Sequence, residues 1–133
     1  MIKTKGVCHF TIAVTDSRRS TQFYTDILGF RLLSANHERG MVFLDTGGDC
    51  VVLMKTETTI SPTRQRDAHH AFHIDPGDFD KALRFLNDMR VEILLVEERK
   101  NKAVVEGRSI YFPDPDGNVI ELVDMYSYAG SIE

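Results

Sequence analysis

The chain repeats its own pattern, and that repeat limits its fold more than any other feature. Val7–Val14 alternates as a half-buried strand does, with Val7, His9, Thr11 and Ala13 on one face and Cys8, Phe10, Ile12 and Val14 on the other. Asp16 offers an N-cap, Ser17–Leu28 sets Phe23, Tyr24, Ile27 and Leu28 at helical spacing, and Gly29 stops the helix. Three strand-like runs follow near Phe30–Ser34, Met41–Asp45 and Asp49–Lys55, the last two joined at Gly47–Gly48. Beyond a polar loop at Thr56–Asp67 the order recurs. His69–Asp75 alternates with His69, Ala71, His73 and Asp75 on one face, and Asp78–Met89 turns Phe79, Ala82, Leu83, Leu86 and Met89 to one side of a second helix. Strands are predicted over Val91–Val96, Val104–Phe112 and Asn118–Met125, with a turn at Pro115-Asp116-Gly117 before the last. Each half reads strand–helix–strand–strand–strand. The expected class is α+β: one domain over residues 1–133, with a first module at about 5–56 and a second at about 67–126.

A chain of 133 residues with 42% apolar and 27% charged content can bury a core, so disorder is excluded. The longest aliphatic runs, Val51–Met54 and Ile93–Val96, are far too short to span a bilayer, so no membrane role is expected. Lys3 and Lys5 precede an apolar stretch that His9 and Thr11 interrupt, and no leader peptide is expected. A net charge of −4 gives nucleic-acid binding no electrostatic support. The charge is uneven: nine basic and six acidic residues in 1–66, seven and fourteen in 67–133. Two solvated faces are the simpler account of this, and halves that attract across an interface are the alternative. Cys8 and Cys50 form neither a disulfide framework nor a zinc-type pair, and inert buried thiols in a reducing cytoplasm are expected.

Aligning the halves sets His9 opposite His69, Leu28-Gly29-Phe30 opposite Met89-Arg90-Val91, and the Asp45–Leu53 hairpin opposite Asp114–Leu122. One histidine in a strand is usually a hydrogen-bonded core or rim residue. Two at equivalent positions of a pseudo-twofold sheet would face one cavity from opposite sides, as a divalent transition metal requires. Glu121 supplies a third ligand: it interrupts the apolar run Val119-Ile120-Glu121-Leu122-Val123, where a lone carboxylate is costly unless a cation or strong donors compensate it. The same alignment puts Val52 opposite Glu121, so a three-ligand site is expected, with positions left for water, oxygen or substrate.

These residues resemble the vicinal oxygen chelate superfamily, which includes glyoxalase I, fosfomycin-resistance enzymes, extradiol dioxygenases and bleomycin-binding proteins. The resemblance is carried by His9 in VCHFTIAV, by FYTDILGF from Phe23 to Phe30, by His69 in HHAFHID, and by GRSIYFPDPDGNVIEL from Gly107 to Leu122. It implies paired βαβββ modules forming a curved mixed sheet around a cleft, a divalent metal there, and a homodimer; the ligand set suits Mn, Fe, Ni, Co or Zn. His9, His69 and Glu121 match the ligand positions, and Val52 stands where glyoxalase I has an additional glutamate. No histidine falls near Lys102–Val104, where the extradiol pattern has its acid/base residue. Thr11 resembles the thiol-transfer members and Glu106–Phe112 the hydrolytic ones.

The expected function is therefore metal-dependent chemistry on a small molecule by bidentate oxygen chelation: dioxygenase-like, or the lyase, transferase or hydrolase chemistry of fosfomycin-resistance and glyoxalase relatives. The alternative is a metal-free protein that sequesters a drug or metabolite in the same cleft. His73 is a candidate acid/base group or a rim histidine, and Tyr111 a candidate to orient a substrate oxygen or a packed aromatic. His70 should face the helix, Glu38 is an exposed loop acid, and Arg108 is expected at the solvated surface rather than on an anionic substrate.

Overall fold

The computed structural model describes residues 1–57, 67–99 and 107–124. The chain divides into two compact units, Met1–Ile60 and Ser61–Glu133. The first holds β1 (His9–Val14), α1 (Ser17–Asp26), β2 (Arg31–Asn36), β3 (Met41–Asp45) and β4 (Cys50–Lys55). Its sheet runs β1-β4-β3-β2, with β1 and β4 parallel and the other neighbours antiparallel. Ile12, Val14, Val42, Leu44, Val51 and Leu53 alternate onto one face and are all buried. Each such side chain stabilises by roughly 1.5–3 kcal/mol, so the period-two pattern decides which face turns inward. Helix α1 packs on this sheet, with Tyr24 fully buried and stacked on Phe30 at 5.9 Å. Asp16 caps it as expected, its carboxylate accepting from the N–H groups of Arg18 (3.1 Å) and Arg19 (3.0 Å). The helix ends at Asp26, two residues before Leu28, because the chain unwinds toward Gly29 in the left-handed conformation (φ +68°).

The second unit holds β5 (His69–His73), a 3-10 turn at Pro76–Asp78, α2 (Phe79–Asp88), β6 (Leu95–Arg99), β7 (Gly107–Pro113) and β8 (Val119–Val123). Its sheet runs β5-β8-β7-β6, with β5 and β8 parallel and the rest antiparallel. Strand for strand this is the order of the first unit, so the class is α+β with two four-stranded mixed sheets. Helix α2 closes on Arg90, left-handed at φ +58°, where the first unit has Gly29. The Arg90 N–H donates to the Asn87 carbonyl (3.0 Å) and the Val91 N–H to that of Leu86 (2.9 Å), the paired bonds of a Schellman cap.

Some bounds differ from expectation for local reasons. Pro76 opens a 3-10 turn, which delays α2 to Phe79. The Val91 N–H serves the helix cap and the Leu94 N–H the Tyr111 carbonyl (2.8 Å), so β6 starts at Leu95 rather than Val91. Residues 104–106, Met125 and most of the Thr56–Asp67 loop lie outside the described residues. Neither thiol is fully buried: both cysteines are free, Cys8 is exposed because the ladder begins only at His9, and Cys50 is half-buried. Among the described residues no helix is long and apolar enough to cross a membrane.

Candidate functional site

All five residues of β8 are buried, and Glu121 is one of them at 3% exposure. A carboxylate so placed needs compensation, and the sheet supplies it. Register sets Glu121 between Ala71 of β5 and Tyr111 of β7. Alternation then brings His69 and His73 of β5, Ser109 and Tyr111 of β7, and Glu97 and Arg99 of β6 to the same face.

On that face the His69 Nε2 stands 2.9 Å from Glu121 Oε2. The Ser109 hydroxyl donates to Glu121 Oε1 at 2.6 Å. The Arg99 guanidinium donates to Ser109 Oγ at 2.6 Å, to Glu97 at 3.1 Å, and lies 3.7 Å from Glu121 Oε1. Tyr111, 5% exposed, meets the His69 ring edge-on at 5.6 Å between centroids. Burial raises the Tyr111 hydroxyl above the usual tyrosine range, and the charge of Glu121 and a hydrogen bond to it add to the effect. The phenol therefore keeps its proton at neutral pH and acts as a hydrogen-bond donor.

An imidazole nitrogen and a carboxylate oxygen are donor types that suit a divalent cation; at 2.9 Å the two stand here as a hydrogen-bonded pair. The first unit has the same register with other chemistry. His9 opens β1 as His69 opens β5; Val52 takes the place of Glu121, Phe43 that of Tyr111, and Met41 that of Ser109. That unit offers one ligand type at these positions, the exposed His9, and no second carboxylate. Among the described residues no three His, Cys, Asp or Glu side chains already stand together as a cation cage.

Of the residues singled out from sequence, His69, Tyr111 and Glu121 come together. His73 lies at the far end of β5 opposite Val123, exposed on the same face. His70 is on the other face, half-buried, with its pKa lowered first by burial and then by His69. Glu38 sits in the exposed turn between β2 and β3. Arg108 departs from the expected solvated arginine: its Nε donates to Asp124 at 2.7 Å, and its guanidinium lies 4.2 Å over the Phe79 ring. Arg99 and the role of Ser109 were not foreseen. A serine inside the apolar run Ser109-Ile110-Tyr111-Phe112 was the available signal, but Arg99 is tied to it by a register that crosses a connection outside the described residues.

Comparison with known proteins agrees with this architecture. The profile of the Glyoxalase/Bleomycin resistance protein/Dioxygenase superfamily matches residues 6–122. The chain is 32% identical over 120 residues to the metallothiol transferase FosB of Staphylococcus saprophyticus, covering 89% of this chain and 76% of that protein. It is 32% identical over 117 residues to the glutathione transferase FosA of Serratia marcescens, covering 86% and 77%. A variant of the fosfomycin resistance protein FosX of Listeria monocytogenes, complexed with Mn(II) and 1S,2S-dihydroxypropylphosphonic acid, superposes with a TM-score of 0.78 at 25% identity, covering 93% of each chain.

Proposed function

Because the chain belongs to the glyoxalase/bleomycin resistance protein/dioxygenase superfamily, we propose that it is a divalent-metal enzyme that opens the epoxide of a small phosphonate, with His9, His69 and Glu121 as metal ligands. Its relatives include named transferases, and an enzyme is the reading they support. The observation that carries the proposal is Glu121: 3% exposed, and turned so that one oxygen lies 2.9 Å from the His69 nitrogen. The same reading takes the protein as a homodimer.

A cation held there supplies Lewis acidity to a substrate oxygen. Tyr111, kept protonated, would turn its hydroxyl from the carboxylate to a substrate oxygen beside it, and His73 is the acid/base candidate further along the strand. The nucleophile gives up its proton as it attacks a ring carbon, the carbon–oxygen bond breaks, and the released oxygen takes up one proton in turn, so that the protons balance. A thiol is the favoured nucleophile, because the relatives at 32% identity are named metallothiol and glutathione transferases. Water is the second reading, favoured by the vicinal diol in the FosX structure. Mn, Fe, Ni, Co or Zn suits this donor set, and the Mn(II) of that structure makes manganese the first to try. The same reading places the protein in the cytoplasm.

The test begins with untagged protein, stripped and reloaded with Mn(II). It is incubated with fosfomycin, with and without glutathione or cysteine, and followed by phosphorus NMR. A thiol adduct supports the transferase, and diol formed without thiol supports the hydrolase. One bound manganese with no product refutes the substrate assignment. No bound metal together with intact fosfomycin binding refutes the enzyme in favour of a sequestering protein. Sedimentation showing a metal-loaded monomer at micromolar concentration would remove the homodimer.

A further inference from the structure

We propose that Arg99 and Ser109 are positioning residues that hold Oε1 of Glu121 and so set the direction of Oε2, the oxygen beside His69, on a carboxylate that Tyr111 also hydrogen-bonds; this rests on the ligand role proposed above for Glu121. The Ser109 hydroxyl has one proton, and it goes to Glu121 Oε1 at 2.6 Å. The serine oxygen in turn accepts from Arg99 at 2.6 Å, which fixes the direction of that proton. Arg99 also places its charge 3.7 Å from the same carboxylate oxygen. Its other arm is held by Glu97 at 3.1 Å, and only 14% of its side chain is exposed, so the guanidinium has little freedom to turn away. The opposite carboxylate oxygen faces His69.

The first unit is an internal control. It has Val52 in place of the carboxylate, and there Met41 stands in place of the serine. The hydroxyl at this register occurs only in the half that carries an acid. With Oε1 released, the carboxylate of Glu121 keeps only its contacts with Tyr111 and His69 and gains rotation about its last bond, so the direction of Oε2 is less tightly set. Groups that orient a ligand from behind contribute about 10- to 100-fold to metal affinity.

The experiment is Mn(II) binding to the stripped full chain, read by the loss of the free-ion EPR signal, for the parent, Glu121→Gln, Arg99→Met, Arg99→Lys and Ser109→Ala, each at a temperature where it is folded by circular dichroism. A 10- to 100-fold weaker Kd in Arg99→Met and Ser109→Ala, with partial recovery in Arg99→Lys, is the expected result. A lower unfolding midpoint with parent-like Mn(II) affinity would reduce both residues to structural supports and overturn the inference. If Arg99→Met does not fold, Ser109→Ala decides alone, because it removes only the hydroxyl. A parent that binds no Mn(II), or Glu121→Gln that binds as the parent does, overturns the ligand reading itself and this inference with it.

Discussion

Replacing Arg108 by methionine keeps the aliphatic stem and removes the guanidinium, so it isolates a charged contact away from the proposed site. Arg108 Nε donates to Asp124 Oδ2 at 2.7 Å, and the Asp124 side chain is only 6% exposed. The other Asp124 oxygen keeps the backbone N–H of Arg108 in the variant. Losing one charge-assisted bond to a buried carboxylate costs about 1.5–3 kcal/mol. The guanidinium also lies 4.2 Å over the Phe79 ring, and at 35% exposure of the arginine that contact contributes about 0.5–1 kcal/mol. The Asp80 pair at 3.6 Å involves a side chain 73% exposed and adds close to nothing. The Pro76 carbonyl, 3.2 Å away, regains water. The expected loss is about 3 kcal/mol, which at a urea slope of about 2 kcal/mol/M moves the midpoint down by about 1.5 M. Urea titration followed by circular dichroism measures it. Asp124→Asn removes the stranded charge, so Arg108→Met should cost about half as much in that background. A loss under about 1 kcal/mol in the parent, or an equal loss in both backgrounds, would refute the account.

Two further perturbations probe the helix ends. Asp16→Ala should lower the melting temperature at pH 7, because the N–H groups of Arg19 and Arg18 hold the carboxylate below the usual aspartate range. A group whose pKa is depressed on folding stabilises above its unfolded pKa and stops doing so as pH falls through the folded one. The gap between variant and parent should therefore close below about pH 4, and melts from pH 7 to pH 2.5 check it. Arg90→Gly should stabilise by about 1 kcal/mol and raise the melting temperature by about 3–4 °C, because φ +58° strains any side chain bearing a Cβ. An unchanged or lower melting temperature would mean that the arginine side chain compensates that strain.

The repeat, both helices, the succession of elements along each half and the equivalence of Val52 with Glu121 were legible from residue spacing alone. Alternation and helical period are local properties, and a one-residue slip would have turned Ile110 and Phe112 to the opposite face. Glu121 was legible too, since an acid inside an apolar strand demands a partner. Its partners were legible only in part. His69 follows from the parallel pairing of β5 with β8, because the two histidines mark that edge in both halves. Arg99 depends on how β6 pairs with β7, and Arg108 on where the end of β8 and the first turn of α2 meet it. Those meetings are not fixed by local periodicity. The sequence by itself determined which faces are apolar and where a buried charge would stand, because local periodicity and the cost of desolvation depend on residue type. Which cations answer that charge was left to the tertiary structure, because the register of one strand against the next is chosen by the packing of the whole sheet.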